Sequence, residues 1–151
     1  MNVAVLTYGR LVAPVGHADV AEFDDAAEAV FAAADRSKGF IWRFGKGASD
    51  ETRAQYDAYA ADPKVSMTLS VWETAEAIRD YAFCTLHNRF YKRRAEWFEP
   101  QEGANMVMWN VPKGHRPDYP EALERLAEYN ENGASDRVFR FEDLGITKGV
   151  A

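Results

Sequence analysis

The side chains with the clearest chemical potential are an imidazole and a guanidinium. His87 and Arg94 stand seven positions apart in the stretch TAEAIRDYAFCTLHNRFYKRRAEWF, residues 74–98. The stretch contains no Pro or Gly, so nothing in its composition breaks a helix. At about 100° per residue, Leu86, Trp97, Phe90, Phe83, Phe98 and Tyr91 share one broad arc, and Arg89, Glu96, Lys92, Arg93 and Asn88 lie opposite. His87 and Arg94 fall inside the aromatic arc, on nearly the same line down the helix. Burying a long cation dry and unpaired costs on the order of several kcal/mol. This face therefore needs either a polar partner or a wet, ligand-sized cavity.

His87 has three readings: a core histidine bonded to a neighbour, a general acid or base or substrate anchor between helix and sheet, or a haem or metal ligand. No second His, Cys or paired carboxylate stands at metal spacing, so no metal site is expected. Arg94 suits a substrate carboxylate or enolate, or an internal ion pair, for example with Glu73. Trp72, Trp97, Trp109 and Tyr91, with Phe83 and Phe90 on the same arc and Tyr8 on the first strand, serve as core or as the wall of a cavity for a flat aromatic ligand. His115 and Arg116, between Gly114 and Pro117, belong to a pocket rim, a subunit contact or a solvent-exposed loop. A Gly-rich phosphate loop, a nucleophile elbow and an HExxH pair are all missing, which argues against dinucleotide and serine-hydrolase chemistry.

Positioning these groups falls to elements legible from pattern. Val3–Leu11 reads as a strand covered on both faces. Asp19 and Glu22 resemble a capping box opening an alanine-rich helix to Asp35. Phe40–Phe44 is a second strand with Phe40, Trp42 and Phe44 on one face. The weakly patterned segment 45–63 is a surface excursion or a lid. Val65–Glu73 is the clearest strand, with Val65, Met67, Leu69 and Val71 on one face and Ser66, Thr68, Ser70 and Trp72 on the other. Thr74 caps the long helix, Asn105–Val111 is a fourth strand, Glu121–Asn132 a last helix and Val138–Phe141 a strand-like tail. Strand, helix, strand, strand, helix, strand predicts an α+β, ferredoxin-like fold: a four-stranded antiparallel sheet with two main helices on one face. The 151 residues form one domain, with a core over about 3–112 and a C-terminal appendage over about 113–151. The helix-free sheet face calls for a partner, and a homodimer supplies one.

The net charge of −6 and a pI near 5.1 disfavour nucleic acid and anionic membranes as partners. The lone Cys84 permits no internal disulfide. No signal-like or membrane-spanning run is present, so a cytoplasmic protein is expected.

At Ser70-Val71-Trp72-Glu73-Thr74, followed by Glu76, Ile78 and His87, the chain resembles the dimeric α/β-barrel superfamily. That group includes the antibiotic-biosynthesis monooxygenases and haem-degrading enzymes. Closer still, Gly39-Phe40-Ile41-Trp42-Arg43, Ser70–Glu73, His87, Arg94–Phe98 and Val111–Pro117 resemble an uncharacterised bacterial family within it, a domain of unknown function (DUF3291-like). The resemblance spans roughly residues 3–142 and implies the fold. In the haem-degrading branch a histidine at the place of His87 ligates iron, so haem enters as a possible cofactor beside the leading expectation of none. The reading is of a cofactor-independent small-molecule enzyme, monooxygenase-like or a cyclase or isomerase. His87 and Arg94 would be catalytic, with the aromatic residues around an aromatic or polyketide-like substrate. The alternative is a noncatalytic ligand- or haem-binding dimer.

Overall fold

The computed structural model describes residues 1–45 and 61–146, and at 85–87 the backbone alone. The expected excursion or lid over 45–63 therefore lies, apart from its ends, outside the described residues.

The first strand, β1 (Asn2–Arg10), alternates residues that are apolar on both sides, and it becomes an inner strand. Chain order continues through α1 (Ala21–Asp35), β2 (Phe40–Arg43), β3 (Val65–Trp72), α2 (Ala75–Ala82), α3 (Thr85–Lys92), β4 (Met106–Val111) and α4 (Tyr119–Asn132). The sheet runs β2-β3-β1-β4 with every pairing antiparallel, which is the ferredoxin-like α+β fold the element order predicts.

Each sheet face carries its own core. Even-numbered β1 residues Ala4 and Leu6 join Met67, Leu69 and Val71 of β3 and Val107, Trp109 and Val111 of β4. On the other face Val3 and Val5 meet Trp72, Met108 and the helix residues Ala34, Ala75 and Ile78. A third cluster, Leu11, Ala13, Val20 and Trp97 with Phe23, Phe90 and Phe98 around it, closes the far end of that helix side.

Four expectations are corrected. The sheet face left open for a second copy is occupied by α4, whose Tyr119, Ala122 and Leu126 point into it. Asp118 caps α4 by accepting from Glu121 N–H at 3.0 Å, and Gly133 ends it at φ 76°. That face is therefore not free of helices. Phe40 does not share a face with Trp42 and Phe44: a bulge between Phe40 and Trp42 shifts the register, sending Phe40 against Trp72 and the other two under α4. Asp19 makes no capping box. It belongs to a 3₁₀ turn over Ala18–Val20 in which His17 Nδ1 accepts its N–H, α1 starts without a side-chain cap, and Glu22 pairs with Arg93.

The fourth correction concerns the long helix, which is two helices. Phe83 and Cys84 N–H groups close α2 on Arg79 and Tyr81 carbonyls, Cys84 is extended (φ −67°, ψ 160°), and Asn88 N–H begins α3 on Cys84 O. Packing overrides propensity here. Tyr81 is fixed by stacking on Trp72 at 5.2 Å and by donating to Val30 O at 3.0 Å, and burial pushes its phenol pKa up. Trp97 must reach the third cluster, where it is 3% exposed. Burying such a ring gains roughly 1.5–3 kcal/mol, which offsets the helix hydrogen bonds lost at the break.

Two predictions follow from this packing. A Cβ at Gly9 would sit 2.6 Å from Phe98 Cδ1. Gly9→Ala should then cost about 1–3 kcal/mol in urea denaturation, and less in a Phe98→Leu background; equal losses in both backgrounds would refute the contact. At the end of β1, Arg10 donates to Asp62 (2.8 Å) and Glu99 (2.7 Å), and these hydrogen bonds hold both carboxyls below their ordinary range. A carboxyl depressed in the folded state adds stability above its unfolded pKa, near 4, and loses it as pH falls through the folded value. Urea midpoints should therefore fall on acidification below about pH 4, and Arg10→Gln should make that fall shallower while the Glu22–Arg93–Glu96 pairs, depressed in the same way, keep the rest.

Candidate functional site

The nominated residues do not converge. Trp72 is core: its indole N–H donates to Ser70 Oγ at 2.9 Å, and Phe40 meets it edge-on. Trp97 is core at the far end, against Phe23 and Phe90 and beneath the Arg93 guanidinium. Trp109 lies on the opposite sheet face under α4 and donates to Glu121 Oε1 at 3.1 Å. The other oxygen of Glu121 meets His115 Nε2 at 2.8 Å, and His115 and Arg116 are exposed in the loop before α4. Gly114, at φ 86°, makes the turn that aims His115 at the carboxylate, so this loop seats α4.

Arg94 is also outside the aromatic arc. The helix ends at Lys92, Arg94 opens a 3₁₀ turn, and its exposed guanidinium lies 4.2 Å over the Tyr91 ring and donates to Tyr91 O at 3.0 Å. An ion pair with Glu73, one of the alternatives for Arg94, is not formed. His87 lies in the first half of α3, and its side chain is outside the described ones.

What the fold leaves uncovered on the helix side of the sheet is a row of hydroxyls between two core clusters. Along β1, the residues on that face are Val3, Val5, Thr7 and Gly9. Val3 and Val5 are buried in one cluster, and Gly9 is buried under Phe98. Thr7, between them on an inner strand, is exposed. Its register partners are Thr68 on β3 and Met106 on β4, both half-buried. The Thr7 and Thr68 hydroxyls bond to each other, and half-buried Ser66 and Ser70 continue the row. The two helix-side clusters thus fail to meet, and α3 carries the chain from one to the other. At the α2–α3 junction Phe83 lies edge-on to Tyr91 at 6.0 Å and 6.1 Å from Phe141, all three half-buried. Hydroxyls on the floor and rings at the side suit a flat ligand bearing hydroxyl or keto oxygens.

A second concavity, about 560 Å³, lies on the other sheet face between the end of β1, residues 99–103 and α4, lined by Tyr8, Arg10, Glu99, Gln101, Leu126 and Asn130 among others. Of the nominated residues only Tyr8 reaches it. Three of its polar side chains are tied within the chain: Arg10 holds Glu99, Gln101 donates to Ala104 O, and Asn130 accepts from Ala104 N–H. It is wide open to solvent, and we place the candidate site at the hydroxyl row instead.

The alternation of β3 places Ser66, Thr68 and Ser70 on one face, but it does not reveal Thr7, whose exposure depends on where two clusters stop, nor Phe141, which arrives by a return of the chain around β4. Thr7 at an inner-strand position among valines was the available signal.

Among the described residues no group of three or more His, Cys, Asp or Glu could hold a metal ion, and no helix is long and apolar enough to cross a membrane. No curated protein matches the sequence. Among solved structures, a conserved protein from Methanosarcina mazei Go1 is similar at 11% identity and a TM-score of 0.54, covering 74% of this chain and 94% of its own. A protein named as a putative antibiotic biosynthesis monooxygenase from Nitrosomonas europaea is similar at 14% identity and a TM-score of 0.51, covering 76% and 94%. At such identities the likeness establishes the fold. Residues 2–149 match the profile of the family described as "Domain of unknown function (DUF3291)", and the chain belongs to that family.

Proposed function

We propose that this protein binds a flat, oxygen-bearing aromatic molecule in the opening between α3 and the sheet and performs acid–base chemistry on it without a cofactor. The observation that carries the reading is Thr7, exposed at the middle of an inner strand with hydroxyl neighbours. An ordinary core would place a valine there, as it does at Val3 and Val5. Thr7, Thr68 and Ser66 would take the ligand's hydroxyl or keto oxygens, while Phe83 and Tyr91 flank its ring plane. His87, on the element that spans the opening, is the group to take a proton from a carbon beside the ligand carbonyl, leaving an enolate. The named Nitrosomonas relative favours an oxygenase outcome by analogy alone. Arg94, exposed on Tyr91, has no part in this reading at the reacting carbon.

Calorimetric titration with a hydroxylated anthrone under nitrogen tests the site. Thr68→Val should weaken binding about tenfold, the worth of one to two hydrogen bonds, with little change in melting temperature. In deuterated water the wild type should speed exchange at the anthrone's acidic carbon, and His87→Gln should abolish that while still binding. Absence of binding, or a Thr68→Val protein that binds like wild type, refutes the site; exchange that survives His87→Gln refutes the catalytic role.

A further inference from the structure

The last described segment, residues 138–146, belongs to neither main helix nor sheet, yet it changes sides. Val138 is fully buried in the cluster beneath α4. One residue later Phe139 is buried in the cluster on the helix side, as a paired bridge to Met108 (2.8 and 3.0 Å) carries the chain round the outer edge of β4. Phe141 and Ile146 then pack against that same cluster, as Met106 does. Met106 is the register partner of Thr7. The segment is therefore delivered to the β4 side of the Thr7 row, where Phe141 packs against Phe83 with ring centroids 6.1 Å apart.

The segment is also held still. Asp143 Oδ2 accepts from Tyr129 Oη at 3.0 Å and from Arg140 N–H at 2.8 Å, and Ile146 N–H donates to Phe141 O at 3.0 Å over Gly145 at φ 68°. A hydroxyl and two main-chain N–H groups thus fix the loop around Phe141. A ring on such a support measures the width of whatever lies beside it.

We infer that residues 138–146 form the outer wall of the opening and that Phe141, braced by Phe83, sets how wide a fused-ring ligand the site admits. This rests on the proposed ligand site. The wall is apolar on the inside, so it selects by size: a ligand that must pass the Phe141 ring is penalised, and one that stops short of it is not. Phe141 acts on specificity and touches no reacting atom.

The test compares two probes, dihydroxynaphthalene (two rings) and dihydroxyanthraquinone (three), titrated into wild type, Phe141→Ala, Phe141→Leu and Thr68→Val, each with its thermal melt. Phe141→Ala should improve binding of the three-ring probe relative to the two-ring probe by about tenfold, within the range one hydrophobic-pocket change supplies. Phe141→Leu, which keeps the packing volume closer, should shift the ratio the same way by less and secures the result if the alanine variant melts. Thr68→Val should weaken both probes by the same factor. If the Phe141 variants leave the ratio unchanged while Thr68→Val weakens both, the wall is refuted and the site stands. If Thr68→Val also changes nothing, the site itself is wrong.

Discussion

A four-stranded sheet with apolar residues on both sides has two faces to remove from water, and a chain of this size has few helices with which to do it. Here α4 takes one face, its Tyr119, Ala122 and Leu126 set against Leu6, Leu69, Val71 and Trp109. The other face is shared by α1 and the α2–α3 pair. Most of the remaining architecture follows from that division. On that face α4 buries its apolar stripe together with the sheet residues it meets. On the other, the helices must reach two separate clusters at opposite ends of the sheet, and a single straight helix cannot present Tyr81 to Trp72 and Trp97 to Leu11 together. The break at Cys84 resolves that conflict, and the uncovered row at Thr7 lies between the two clusters so formed.

The strands were legible because their period is short and their side chains report burial directly. Val65–Trp72 was assigned correctly face by face, and so was the opposition of Met106 and Met108 to Val107 and Trp109. Pattern failed wherever a tertiary contact outweighed a local rule. The bulge after Phe40 is invisible in an aromatic alternation that looks perfect, because its cause is the meeting of Phe40 with Trp72. The helix break carries neither Pro nor Gly, so composition could not announce it. His87 and Arg94 were placed together only by assuming an unbroken helix; once the turn ends at Lys92, Arg94 leaves that line and rests on Tyr91 in solvent. The role of the appendage was the least legible of all. Its amphipathic helix was recognisable, but which sheet face it covers depends on the loop 112–118, where Gly114 and the His115–Glu121 pair fix its start.

The shared fold also sets a bound on analogy. The two structural relatives cover 74% and 76% of this chain, so about a quarter of it has no counterpart in them, whereas each is itself almost wholly matched. What the relatives share with this chain is therefore the common scaffold, and scaffold likeness carries no chemistry. Any activity must be argued from side chains that this chain places for itself.

Those side chains distinguish the row at Thr7 from a packing flaw. A flaw in an apolar core is dry and lined by hydrocarbon, and it costs stability for every contact forgone. The row at Thr7 is different in kind: Thr7 and Thr68 bond to each other, Ser70 accepts from Trp72, and Thr7 remains in contact with solvent. Hydroxyls at these positions keep the gap wet, because a dry cover over them would leave acceptor lone pairs without partners. Valine in their place would let the two helix-side clusters join across the sheet. The polar row thus lies between two helix-side cores and puts hydroxyls where continuous burial would call for hydrocarbon.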